Sequence, residues 1–141
     1  MGIRGKEIKA IEKVNQTFDS YEWNIESGDG IYDAINLPEN SEDIGDIFVT
    51  KTKNNLYIAL GSYFSRHYLD EDRYTKEKRY FISFLKDNHE IINLFTINDR
   101  EYWRYKAQTE LVNEDIIGNL YKNVFNKFYR VDDILNDFLA E

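Results

Sequence analysis

The sequence predicts an α+β fold in two layers, with an antiparallel sheet of about 5–7 strands flanked by an N-terminal helix and a helical C-terminus. Three observations carry this expectation. Apolar residues recur at three- and four-residue steps near both ends of the chain. Between them lie short alternating or apolar runs of strand length. The connections between those runs are of hairpin length, whereas a parallel crossover needs a dozen or more residues. A chain of 141 residues suits a single domain, residues 1–141, with enough surface to bury for a self-sufficient core.

The elements follow in order. Ile8, Ile11, Val14 and Phe18 put one apolar face on a helix over residues 6–18. Tyr21-Glu22-Trp23-Asn24-Ile25-Glu26 alternates strictly and predicts a half-buried strand. Ser27-Gly28-Asp29-Gly30 predicts a turn, since glycine permits positive φ, and residues 31–37 a return strand. Residues 38–41 form a loop around the only proline. Residues 47–50 and 56–60 flank Lys53-Asn54-Asn55 and predict a second hairpin, because Asn tolerates the left-handed turn conformation. Residues 65–77 are polar and charged and suit a loop or a short exposed helix equally. A three-strand meander is expected next: residues 80–85, a turn at Asp87-Asn88, residues 91–97, a turn at Asn98-Asp99, and residues 101–105. Asn113 is the expected cap of a C-terminal helix, with Glu114 and Asp115 in its first turn. Ile116, Ile117, Leu120, Tyr121, Val124 and Phe128 form its buried stripe. A break near Arg130 and a cap at Asp132 precede a last short helix, expected to bury Ile134, Leu135, Phe138 and Leu139. The expected core joins Phe18, Trp23, Ile58, Leu60, Phe84, Leu94, Leu120, Val124 and Phe128.

Charge is unevenly spread. The net charge of −8 is carried entirely by residues 21–50, which hold Glu22, Glu26, Asp29, Asp33, Glu39, Glu42, Asp43 and Asp46 with neither Lys nor Arg. An acidic face repels nucleic acid and anionic membrane and attracts basic partners. Cysteine is absent, so disulfides and thiolate metal sites are excluded, as suits a reducing compartment. The first residues lack an apolar signal-peptide core, and no apolar run approaches the length of a membrane span. A cytoplasmic location is expected.

Motifs for chemistry are weak. Leu60-Gly61-Ser62 followed by Asp70-Glu71-Asp72 faintly resembles the Gly-Ser turn and Asp-x-Asp pair of nucleotidyltransferases, which would hold triphosphate and a divalent cation. The acids of that family sit on a strand among apolar neighbours, whereas residues 70–73 here are continuously charged. His67 and His89 have no partner at zinc-ligand spacing and read as exposed. Asp29-Gly30 lacks the EF-hand spacing of oxygen ligands and reads as a turn. There is no glycine-rich phosphate loop and no nucleophile elbow. Neither catalysis, a metal nor a cofactor is expected.

What remains is surface. Tyr32 and Tyr57 are expected opposite the core faces of their strands, Tyr68 and Tyr74 flank Asp70, Glu71 and Asp72, and Tyr102, Trp103 and Tyr105 flank Glu101 and Arg104. Tyrosine brings large contact area with few rotors and one polar tip. With Glu22, Glu26, Glu39, Glu42, Asp43 and Asp46, these tyrosines make an acidic, aromatic surface suited to a basic protein partner. Toxin-immunity proteins and phage-encoded inhibitors of host defence share this profile, though no motif of theirs is present. The expected function is a small protein-binding inhibitor that touches neither nucleic acid nor membrane. Two alternatives stand beside it: a small-molecule binder or cryptic enzyme with a pocket between the sheet and the C-terminal helix, and a chaperone for a secreted partner.

Overall fold

A long antiparallel hairpin organises the molecule. In the computed structural model, residues 2–26, 30–107 and 115–141 are described. The chain runs α1 (Gly2–Thr17), a 3-10 turn (Phe18–Ser20), β1 (Asn24–Ile25), α2 (Ile31–Ala34), β2 (Ser41–Glu42), β3 (Phe48–Lys51) and β4 (Leu56–Tyr68). It continues through β5 (Tyr74–Asn88), β6 (Glu90–Asn98), α3 (Asp99–Ala107), α4 (Ile116–Phe128) and α5 (Val131–Leu139). The strands form one six-stranded sheet in the order β1-β3-β4-β5-β6, with β2 pairing β4 off this path. Every pairing is antiparallel.

Turn chemistry fixes the register. Asn54 and Asn55 adopt φ of 62° and 59° between β3 and β4, the left-handed conformation for which Asn is enriched. His89 reverses the chain between β5 and β6 at φ 69°. β4 pairs with β5 from Leu56↔Lys86 to Tyr68↔Tyr74, and a bulge at Phe84/Leu85 shifts the β5–β6 register.

The strands alternate between two cores. One face carries Phe48, Ile58, Leu60, Ile82, Phe84 and Ile97, covered by Ile8, Ile11 and Val14 of α1, Tyr102 of α3, and Ile117, Leu120 and Val124 of α4. The opposite face carries Val49, Ala59, Tyr63, Phe81 and Leu85 beneath Ile31, Ile35 and Ile47. Fully burying each Val, Leu, Ile or Phe among them contributes about 1.5–3 kcal/mol. The Asn93 amide donates to the Ala34 carbonyl and to Thr96, whose hydroxyl meets that of Ser83, so α2 is tied to the second face. The helices make the second layer, as expected, and an irregular segment closes the sheet's other side.

Several expectations need correction. The strand expected over residues 21–26 shrinks to Asn24–Ile25. The return strand over 31–37 is instead the single turn α2 followed by extended chain, so no hairpin underlies the acidic segment. Residues 27–29 of the expected turn lie outside the described residues, while Gly30 takes φ 90°. Residues 65–77 are neither loop nor helix but the outer half of the β4–β5 hairpin. Residues 101–105 are helical, because Asn98 and Glu101 form a reciprocal capping box: the Asn98 side chain accepts from Glu101 N–H, and the Glu101 carboxylate accepts from Asn98 N–H. Leu94 is exposed rather than in the core, because it is the extra residue that the bulge leaves unpaired between Asn93 and Phe95. Tyr57 is half-buried against the second core rather than turned outward. Asn113 lies outside the described residues; Asp115 caps α4, its carboxylate accepting from Gly118 N–H at 2.9 Å.

Candidate protein-contact surfaces

Beyond Ser62↔Tyr80, β4 and β5 continue as an arm that, among the described residues, pairs in the sheet only with the two residues of β2. Its tip is a turn in which Asp70 Oδ1 accepts from the N–H groups of Asp72 and Arg73, and Oδ2 accepts from Arg73 Nε at 2.8 Å. The Arg73 guanidinium and these N–H groups hold the Asp70 carboxyl below the usual range. Gly61 and Ser62 are buried in mid-strand and Asp70 sits in this turn, so the two halves of the nucleotidyltransferase-like pattern do not form its phosphate turn and strand-borne acid pair. Among the described residues, no group of three or more His, Asp or Glu is arranged to hold a metal ion.

The arm also changes the meaning of the acidic segment. Arg66 Nε donates to both Glu42 oxygens, at 3.0 and 3.1 Å, and Lys76 lies 2.8 Å from Asp43 and 3.3 Å from Glu42. Arg66 foremost, with Lys76, holds the Glu42 carboxyl below its ordinary range, while Asp43 and Glu42 push Lys76 up. The Arg66 guanidinium stacks 4.4 Å from the Tyr74 ring centre and donates to the Tyr68 hydroxyl, and the two rings lie 5.5 Å apart. Tyr68 and Tyr74 are exposed, as are Glu39, Glu71 and Asp72. The structure thus gathers Glu42, Asp43, Tyr68, Tyr74 and Asp70 on one arm, with their charges largely met by local cations.

The other expected contact residues lie elsewhere. Tyr32 is exposed on α2, over the opposite face of the sheet. Glu26 is half-buried, and its N–H donates to the Ile47 carbonyl. Glu22 is exposed and lines a shallow depression with Lys127 and Arg130, where α4 meets α5. Asp46 reaches the same region, accepting from the Tyr129 hydroxyl at 2.7 Å, which pushes the Tyr129 phenol up. The carboxylates of this segment among the described residues therefore do not share one face.

The surface that sequence reasoning missed is α5. Arg130 adopts φ 53° and turns the chain away from α4, so α5 leaves the body. Ile134, Leu135, Phe138 and Leu139, expected in the core, are 59%, 51%, 68% and 76% exposed. Phe125 and Tyr129 extend the apolar surface at the end of α4. Asp132, Asp133, Asp137 and Glu141 flank the stripe, and Arg130 is bonded to Asp133 at 3.0 Å. The stripe itself was legible in the spacing of its residues. That the stripe faces water depends on a left-handed Arg, a conformation that nothing in its side chain signals.

Among the described residues, no helix is long and apolar enough to cross a membrane. No family model, no curated protein and no solved structure matches this chain.

Proposed function

We propose that this chain is a small acidic protein-binding inhibitor that docks on a basic partner through α5 and the carboxylates around it. The observation that supports this reading is the unpaired apolar stripe of α5. A nine-residue helix is marginal in water on its own, and four large apolar side chains kept in solvent forgo the burial that normally holds such a helix in place. Contiguous exposed apolar surface rimmed by charge is typical of a contact site. The rim selects the partner. Asp132, Asp133 and Asp137 of α5 would repel the same helix of a second copy, and they complement a groove edged by Lys and Arg. Glu22 and Asp46 add negative charge at the helix base. On a partner that handles nucleic acid, these carboxylates would occupy positions otherwise taken by phosphates. A chain without cysteine suits such work in the reducing cytoplasm.

The test is affinity capture from the source cells with wild type and with Leu135→Asp/Phe138→Asp, both first shown to unfold at the same temperature. Wild type should retain a basic protein that the variant loses, and their association should slow steeply as salt is raised. Identical captured sets, or an association indifferent to salt, would overturn the reading.

A further inference from the structure

A second feature lies between α1 and the β3–β4 end of the sheet. A cleft of about 760 Å³ opens there, within the range typical of small-ligand sites. Its interior is apolar: Ala10 and Val14 from α1 face Leu56, Ile58 and Phe84 from the sheet. It arises because α1 packs against α4 while its small Ala10 leaves space over the strand ends. This lies on the sheet's helix-covered face but beside α1, not beside the C-terminal helix where a pocket was expected.

The rim has a charge opposite to that of the molecule. Lys13 of α1 and Lys53 of the β3–β4 turn line the cleft, both exposed, and among the described residues no carboxylate lines it. Lys86 is the register partner of Leu56, and its ammonium donates to the Asn54 carbonyl in the same turn. Lys51 lines the cleft as well, but its ammonium lies 5.5 Å from the Tyr57 ring centre. In a chain of net charge −8, an apolar cavity whose charged lining among the described residues is all lysine is a local inversion. Low-dielectric walls beside cations concentrate their field on an anion entering the cleft.

We infer that this cleft binds a small amphipathic anion, an apolar body carrying one carboxylate or phosphate, with the body against Ile58 and Phe84 and the head between Lys13 and Lys53. The inference is independent of the partner-binding reading of α5. The free amphiphile is favoured over a membrane lipid, because the rest of the acidic surface is repelled by an anionic bilayer.

The experiment titrates the full chain with octanoate, octan-1-ol and inorganic phosphate, followed by NMR of backbone amides, with sedimentation against phosphatidylglycerol vesicles as a separate arm. Octanoate should bind saturably and shift resonances of Ala10, Lys53 and Leu56; octan-1-ol should bind about tenfold or more weakly, and phosphate alone not at all. Lys13→Gln/Lys53→Gln should weaken octanoate by about tenfold or more and leave octan-1-ol unchanged. Lys122→Gln, on the exposed side of α4, controls for net charge and should change neither. Ala10→Trp, checked for unchanged melting, should fill the cleft and abolish both. Equal affinity for octanoate and octan-1-ol, an indifferent lysine variant, or no octanoate binding would overturn the proposal. Sedimentation with vesicles would overturn the choice of a free amphiphile.

Discussion

Gly61 lies at the centre of β4 with the Phe81 ring against it, and a Cβ added there would stand 2.5 Å from two ring carbons and 3.3 Å from Ile47. Phe81 is fully buried, so the ring has nowhere to go. Alanine ordinarily improves on glycine in mid-strand by about 0.5–1 kcal/mol. Here Gly61→Ala should instead cost about 1–3 kcal/mol through overpacking, read as a lower urea midpoint. Gly61→Ala/Phe81→Leu should recover part of that loss, because the smaller side chain vacates the space. A stabilised single variant would show that the ring is not wedged against the strand. Asp99 illustrates another local effect: burial, with the nearby Asp115 charge, pushes its carboxyl up, and Arg79 at 3.7 Å only partly offsets this.

At the scale of elements, capping and packing decide separate questions. The Asn98–Glu101 box starts α3 where residues 101–105 were expected as the third strand of a meander. Its signal was present as Asn-x-x-Glu, and the fully buried Tyr102, with Tyr105 packed beside the core and Lys106 paired to Glu12, anchors this short helix. α5 is the opposite case, a well-patterned helix with no layer to bury it. A chain ending at Arg130 should therefore keep its unfolding free energy within about 1 kcal/mol, while circular dichroism loses the contribution of one short helix. A collapse of the unfolding midpoint would mean that the stripe packs on the body and is not a contact surface.

Across the whole molecule, charges remote in sequence are made local. Residues 21–50 contain no base, yet Glu42 and Asp43 rest on Arg66 and Lys76, which the β4–β5 arm brings across. Sequence reasoning would treat Glu42 and Asp43 as free surface acids whose reversal leaves stability untouched. The structure gives another outcome. Glu42→Lys/Asp43→Lys puts four cations where two pairs stood, so the melting temperature should fall at low salt and recover partly at high salt, as screening weakens like-charge repulsion. Equal melting of wild type and variant at both salts would show that these pairs are not formed in solution. Charge reversal at Asp132 and Asp137, which have no such ion pairs among the described residues, offers the contrast: it should leave melting unchanged.

The sequence by itself determined what depends on neighbours along the chain. The apolar spacing of α1 and α4, the Asn54-Asn55 turn and the strand runs of β3 to β6 set element type and antiparallel pairing, because helix period, strand period and left-handed turns are local constraints. Tertiary structure alone decided which patterned surfaces are covered. The same apolar rule that placed Leu120 in the core expected Ile134 and Phe138 there too, yet they lie in solvent, since a stripe records only that a face is apolar, not that another face meets it. Likewise Lys13 and Lys53 share a cleft only because α1 leans over the β3–β4 turn, and Glu42 and Asp43 lie against the arm while Glu22 and Asp46 lie at the base of α5. Such juxtapositions join residues far apart in sequence, and no local periodicity encodes them.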